Sequence, residues 1–208
     1  MIKEIVFDFG GVLTIIDTKQ AMQRFREIGV SNPEEYINPY CQKGPFFALE
    51  NGDITAEEFC EELSKITGRT ITRDDARYAW LGFIVEVQTE FMEFLQQLRP
   101  RYRLSVLSNT NPFIQEWACS SAFTPCGKTL NDYFDRLFFS FKMNCSKPNE
   151  EIYRKMLLQG NMKAEETLFL DDGEKNINAA RKVGINTLKV ANGEDWRKTL
   201  EKVLQYHK

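Results

Sequence analysis

The chain has 208 residues, of which 42% are hydrophobic and 27% charged, with a net charge of -3; these values exclude a disordered or collagen-like chain and fit one core domain with room for a smaller insertion. So weak a net charge provides no basic field for nucleic acid, and no apolar run is long enough to span a membrane. Five scattered cysteines (Cys41, Cys60, Cys119, Cys126 and Cys145) form no C-x-x-C pair and read as reduced, packed thiols, which together with an amino terminus lacking a secretory signal leads to an expected cytoplasmic location.

The first predicted element is "IVFDFGGVL". Ile5, Val6, Phe7 and Phe9 surround Asp8, and Gly10 and Gly11 follow at once. An apolar run this short reads as a strand buried on both faces, and a carboxylate at its end needs a partner or a task. The next stretch is different in kind, with helical patterns and no comparable strand. Thr55 and Glu58 make a capping box ahead of Phe59, Leu63 and Ile66, and Thr72 opens a second helix carrying Ala76, Trp80 and Phe83. Because connections between strand and helix are normally short, residues 17–87 are expected to form an inserted helical unit, with residues 1–16 and 88–208 making the core. Trp80 and Phe83 read as interior residues of that unit.

Beyond it, strands and helices alternate. "RLSVLSN" ends on Ser108 and Asn109, "CSSAFTPCGKTLND" reads as a long surface connection, and "RLFFSF" is the next strand. Lys147 lies in "CSKPNE", ahead of a helix in which Pro148 suits the first turn, Ile152, Tyr153, Met156 and Leu157 form an apolar stripe, and Gly160 ends the pattern. "TLFLDD" ends on Asp171 and Asp172; "EKNINAARKVG" is a helix with Ile177, Ala180 and Val183 inward and Gly184 as terminator; "NTLKV" is the last strand. This alternation predicts an α/β fold, a Rossmann-like three-layer core in which helices cover both faces of a parallel sheet. His207, the only histidine, sits next to the carboxyl terminus and is not expected in the chemistry.

Ligands of open parallel sheets bind beyond the carboxyl ends of the strands. There the pattern gathers Asp8, Ser108, Asn109, Asp171 and Asp172, with Lys147 close behind. Clustered carboxylates repel unless a cation holds them, and a small all-oxygen set suits Mg²⁺. Lys147 adds positive charge, so the completed site favours an anion, above all a phosphoryl group. Taken singly, these residues have ordinary explanations: Asp171 and Asp172 as helix caps, Ser108 and Asn109 as a turn, Lys147 in solvent. Those explanations together leave Asp8 without a partner.

This order of motifs resembles the haloacid dehalogenase superfamily of phosphohydrolases over nearly the whole chain. "FDFGGVL" is similar to its first motif, "LSNT" to its second, the Lys of "SKPNEEIY" to its third and "FLDDGEKNINAARKVGI" to its fourth. In style the chain is similar to small bacterial sugar-phosphate phosphatases of the glucose-1-phosphate type, and to the phosphatase domain attached to epoxide hydrolases. The resemblance implies an Mg²⁺-dependent phosphatase acting on a small phosphorylated metabolite. Asp8 is then the nucleophile that carries an aspartyl-phosphate. Asp8, the Gly10 carbonyl, Asp172 and Asp171 hold the metal, the last directly or through water. Ser108 and the Asn109 backbone N–H bind the phosphoryl oxygens, Lys147 neutralises charge, and Gly10 and Gly11 turn the backbone around the phosphate. Asn176 either positions the fourth-motif loop or is an ordinary first-turn helix residue.

One departure stands out. Most phosphatases of the superfamily carry a second Asp two positions after the nucleophile, as general acid; here it is Gly10. That keeps two further readings open: a phosphate-binding or regulatory protein with little turnover, and a phosphotransferase. A mutase-like enzyme fits poorly because it needs that acid, and a dehalogenase fits poorly because it uses no metal to hold the Asp171–Asp172 pair. The helical insertion corresponds to the place where the superfamily inserts a cap. Within it, "GPFFALENGDIT", with Phe46, Phe47 and Glu50, is expected to approach the crevice. Nothing in the sequence sets an oligomeric state.

Overall fold

The computed structural model describes residues 1–37 and 42–206; Cys41 and His207 lie outside them. All five expected apolar runs are strands: β1 (Glu4–Phe7), β4 (Arg103–Ser108), β5 (Arg136–Phe139), β6 (Thr167–Asp171) and β7 (Asn186–Lys189), with β2 (Thr14–Ile16) and β3 (Ile84–Val87) forming a separate pair. The five make one sheet in the order β5-β4-β1-β6-β7, and every neighbouring pair is parallel. Side-chain alternation sends Ile5, Phe7, Leu104, Val106, Leu168 and Leu170 to one apolar layer and Val6, Leu107 and Phe169 to the other. Helices Thr89–Leu98 and Arg197–Tyr206 supply the first layer and Glu150–Gly160 and Glu174–Lys182 the second. The result is the expected three-layer α/β core.

Strand β1 is central, and its register pairs Phe7 with Val106 on one side and Leu170 on the other. One residue further on, Asp8 is therefore level with Leu107 and Asp171, which puts Asp8, Ser108 and Asp171 at a single sheet edge. No helix among the described residues is long and apolar enough to cross a membrane.

Between β2 and β3, among the described residues, run the helices Thr18–Glu27, Gly44–Asn51, Ala56–Thr67 and Arg73–Trp80. The capping boxes at Thr55 and Thr72 form as expected, the second closed by Asp75. Strand β3, however, falls within the stretch expected to contain no strand. "IVEV" is short and half-exposed, and it becomes a strand because β2 lies antiparallel to it, a long-range pairing that a local pattern does not reveal.

Other expectations shift in detail. Pro148 precedes the helix, which begins at Glu150 behind the Asn149 cap, and the chain leaves that helix through Asn161 in the left-handed region, φ 49°. Of the apolar residues behind the Thr55 cap, Phe59 and Leu63 are buried and Ile66 is exposed. The "CSSAFTPCGKTLND" connection is pinned to the interior by Phe123, which packs on Phe9 and Trp117, and it ends in a helical turn, Leu130–Tyr133.

Phe46 is buried at the centre of an aromatic cluster with Phe25, Tyr36, Phe59 and Trp80 and does not reach the crevice as expected, because on its helix it faces away from Phe47. Phe59 in turn meets Phe113, so the apolar interior runs continuously from these helices into the sheet layer. Phe46→Ala should lower the free energy of unfolding by about 3–5 kcal/mol, the range for emptying a fully buried aromatic site. Urea denaturation measures this, and a loss below about 1 kcal/mol would contradict the packing described.

Candidate active site

Asp8 leaves the sheet still tied to it, since its backbone N–H donates to the Leu170 carbonyl at 2.8 Å. Its Oδ1 accepts from the Phe9 N–H at 2.7 Å and lies 2.8 Å from Lys147 Nζ. Lys147 reaches across β4 from the loop after β5. Its ammonium also donates to Asp171 Oδ2 at 2.7 Å and to the Leu107 carbonyl at 3.1 Å, so all three of its N–H bonds are used. The loop is held by Asn109, whose Nδ2 donates to the Lys147 carbonyl at 2.9 Å while its Oδ1 accepts from the Lys147 N–H at 2.8 Å.

Asp171 is buried. Its Oδ1 accepts from the Gly173 N–H at 2.7 Å and from Asn176 Nδ2 at 2.9 Å, so Asn176 does orient the fourth-motif loop. Asp172 is half-buried, and Gly11 passes directly beneath its carboxylate: a Cβ on Gly11, at φ +79°, would stand 2.4 Å from Asp172 Oδ2. Only glycine tolerates both that conformation and that approach. Ser108 is buried next to the cavity, its Oγ donating to the Asn109 carbonyl at 3.3 Å.

The electrostatics are lopsided. Asp8, Asp171 and Asp172 each offer an oxygen within 4.8 Å of the others, and one ammonium stands against three carboxyl groups. Burial pushes Asp8 well above the usual carboxylate range; Lys147 pulls it back, and the charges of Asp171 and Asp172 push it further up. Asp172 is raised by burial and then by Asp171. For Lys147, burial works against the charge, but the attraction of Asp171 and Asp8 outweighs it and the ammonium is held above its ordinary value. A surplus of hard carboxylate oxygens packed this closely is the donor set a small divalent cation suits. The residues present therefore fit Mg²⁺.

Asp8, Ser108, Asn109, Lys147 and Asp172 form the floor of a cavity of about 530 Å³ that also exposes Gly10, and Asp171 is buried behind it, bonded to Lys147. Its opposite wall comes from the helices between β2 and β3 and contains Phe47, Glu50, Trp80 and Phe83. Phe47 and Glu50 are thus where the sequence expects them. Trp80 combines the interior position expected of it with a place on the wall. Burial raises the Glu50 carboxyl to about 8. The side-chain clamp of Asn109 on Lys147 was not foreseen, since the expected role of Asn109 rested on its backbone; a clamp between residues 38 apart has no local signature.

A profile of the haloacid dehalogenase-like hydrolases matches residues 2–184. The chain is 42% identical over 204 residues to the D-ribitol-5-phosphate phosphatase of Bacteroides thetaiotaomicron, an alignment covering 98% of this chain and 99% of that protein. A solved structure of a predicted haloacid dehalogenase-like family hydrolase from Porphyromonas gingivalis shares 42% identity at a TM-score of 0.94, covering 99% and 98% of the two chains. A haloacid dehalogenase family enzyme of Bacteroides thetaiotaomicron, solved with magnesium and inorganic phosphate, shares 33% identity at a TM-score of 0.88 over 96% and 99%.

Lys147 is the sole cation bonded to both buried carboxyl groups among the described residues. Lys147→Met should therefore cost about 3–5 kcal/mol of stability in metal-free buffer, as for other buried ion pairs that lose one partner. Urea titration of the two proteins tests this, and equal midpoints would show that Asp8 and Asp171 do not depend on the ammonium.

Proposed function

The chain belongs to the haloacid dehalogenase-like hydrolases, and from that membership and its site geometry we propose an Mg²⁺-dependent phosphatase that hydrolyses small phosphomonoesters, sugar or polyol phosphates first among them, through a phosphorylated Asp8. The observation that carries this reading is Lys147 Nζ, 2.8 Å from Asp8 and 2.7 Å from Asp171, on the floor of a cavity that also holds Asp172 and Ser108. The 42% identity to a phosphatase of D-ribitol 5-phosphate supports the same substrate class.

In this reading Asp8, Asp171 and Asp172 with the Gly10 carbonyl hold Mg²⁺, which when bound neutralises charge on the carboxylates and on a phosphate oxygen. The chain's own residues do the rest. Asp8 attacks phosphorus in line with the departing oxygen, forms the acyl phosphate, and is freed by water. Ser108 Oγ turns from the Asn109 carbonyl to a phosphoryl oxygen, and the Asn109 N–H joins it. Lys147 stabilises the negative charge gathered around phosphorus, and Asn109 and Asn176 keep Lys147 and Asp171 in place. The helical segment within residues 17–87 acts as a cap over the crevice, with Phe47 and Glu50 facing the part of the substrate that leaves. A cytoplasmic location belongs to this reading.

Gly10 favours one other reading, a phosphate-binding protein with little turnover. Phosphate release from p-nitrophenyl phosphate and from D-ribitol 5-phosphate separates the two. Release should require Mg²⁺, stop with a chelator, and fall by more than about 1,000-fold in Asp8→Asn. Phosphate bound tightly but never released from either ester would instead identify a binding protein, and undiminished release from Asp8→Asn would remove Asp8 as nucleophile.

A further inference from the structure

Every group given a chemical role so far acts on phosphorus, its oxygens or the residues that hold them. None gives a proton to the oxygen that leaves, although an alkoxide departing from a sugar or polyol phosphate requires one. The backbone two residues beyond Asp8 offers only Gly10.

The remaining ionisable side chains of the cavity can be taken in turn. Lys147 has no N–H to spare, and Asp172 belongs to the carboxylate set. Glu174 is exposed and ion-paired with Lys189 at 2.6 Å, and Lys175 is an exposed cation. Glu50 is left. Among the described residues its carboxyl group makes no hydrogen bond and no ion pair, and it is half-buried and lines the same cavity as Asp8.

The end of its helix is anchored to the core. Ser140 Oγ donates to the Glu50 carbonyl at 2.6 Å, Asn144 Nδ2 donates to the Gly52 carbonyl at 3.0 Å, and Ser146 Oγ donates to Asn51 Oδ1 at 3.2 Å. Gly52 lies so close to Phe141 that a Cβ there would stand 2.1 Å from the Phe141 oxygen. Glu50 is thereby held by the segment whose next residue is Lys147, and its position is tied to that of Asp8.

We propose that Glu50 is the catalytic acid and base of this enzyme, supplying from the helical wall the proton that position 10 cannot. The proposal rests on the phosphatase reading above. In the first step the Asp8–phosphorus bond forms as the bond from phosphorus to the substrate oxygen breaks, and the Glu50 proton passes to that oxygen, releasing the alcohol. In the second, water attacks phosphorus and gives a proton to the Glu50 carboxylate. The Asp8–phosphorus bond breaks, and orthophosphate leaves with both carboxyl groups restored.

A group with this duty works best with a pKa close to the working pH, and burial places Glu50 at about 8. No neighbouring charge contributes to that value. On the elements packed against its helix, Lys142 lies over the Phe139 and Phe141 rings, Glu57 pairs with Arg73, Glu58 caps its own helix, and Glu62 pairs with Lys65. Cys60 is buried there, and Asp53 is held by Asn51. Across the cavity stand Asp8, Lys147, Asp172, Glu174 and Lys175. The acid form is present below about pH 8 and is lost as pH rises through it, so kcat/KM for alkyl monoesters should fall on the alkaline side.

The test compares wild type with Glu50→Gln and Glu50→Asp in saturating Mg²⁺, using kcat/KM, which reports the steps through the first phosphoryl transfer. The substrates are D-ribitol 5-phosphate, glycerol 3-phosphate and p-nitrophenyl phosphate, whose phenolate leaves without a proton. Glu50→Gln should lose ~100-fold to ~10,000-fold on the two alkyl esters, far less on the aryl ester, and its alkaline limb should vanish, while Glu50→Asp retains that limb at a reduced rate. A protonated-carboxyl infrared band present in the wild type at neutral pH and missing from Glu50→Gln is expected independently of turnover. An equal loss on alkyl and aryl esters, an unchanged alkaline limb in Glu50→Gln, or no such band would overturn the proposal. Wild type that releases phosphate from no ester with Mg²⁺ would overturn the phosphatase reading and this proposal with it.

Discussion

The site depends on one ammonium between two buried carboxyl groups. Sheet order makes the arrangement unavoidable: β1 lies between β4 and β6, so Asp8 and Asp171 end neighbouring strands and face each other across the sheet edge. Two carboxyl groups that close, taken out of water, repel each other unless a cation stands between them. Lys147 supplies one positive charge against three carboxyl groups, and the shortfall is what makes the crevice a place for a divalent metal and then for a phosphoryl group. Asn109, Asn176 and Gly173 are consequences of the same constraint, because each fixes a backbone or carboxylate that the ammonium has to meet.

The helical wall is coupled to this floor in two ways. Apolar contact runs without a break from Phe46 through Phe59 to Phe113, and polar contact runs from residues 50–52 to Ser140, Asn144 and Ser146. The second set joins the segment that delivers Lys147, so the wall and the charge centre share one support. Among the described residues Glu50 has no charge partner, in contrast to Asp8 and Asp171, which share Lys147.

Much of the architecture was legible in the chain itself. Five short apolar runs, each punctuated by glycine or a polar turn, identified the strands of a parallel sheet, because a strand buried on both faces has to be apolar throughout. The capping boxes at Thr55 and Thr72 marked their helices because capping is settled within four residues. The chemical identity of the strand ends and of the loop after β5, read in order, is enough to group Asp8, Ser108, Lys147, Asp171 and Asp172. Less legible were the elements that exist through a distant partner: β3, which pairs with β2, and Phe123, which pins an otherwise polar connection to the interior.

The sequence by itself therefore determined the layer architecture, the sheet edge at which charged groups gather and the identity of those groups, since periodicity, capping and residue type are local properties. Only the tertiary structure decided that Phe46 packs inward while Phe47 and Glu50 face the cavity, that the Asn109 side chain clamps Lys147, and that Gly11 is required by Asp172. Each of these is set by what stands opposite in space, across separations of tens to more than a hundred residues, and no window of sequence contains both partners.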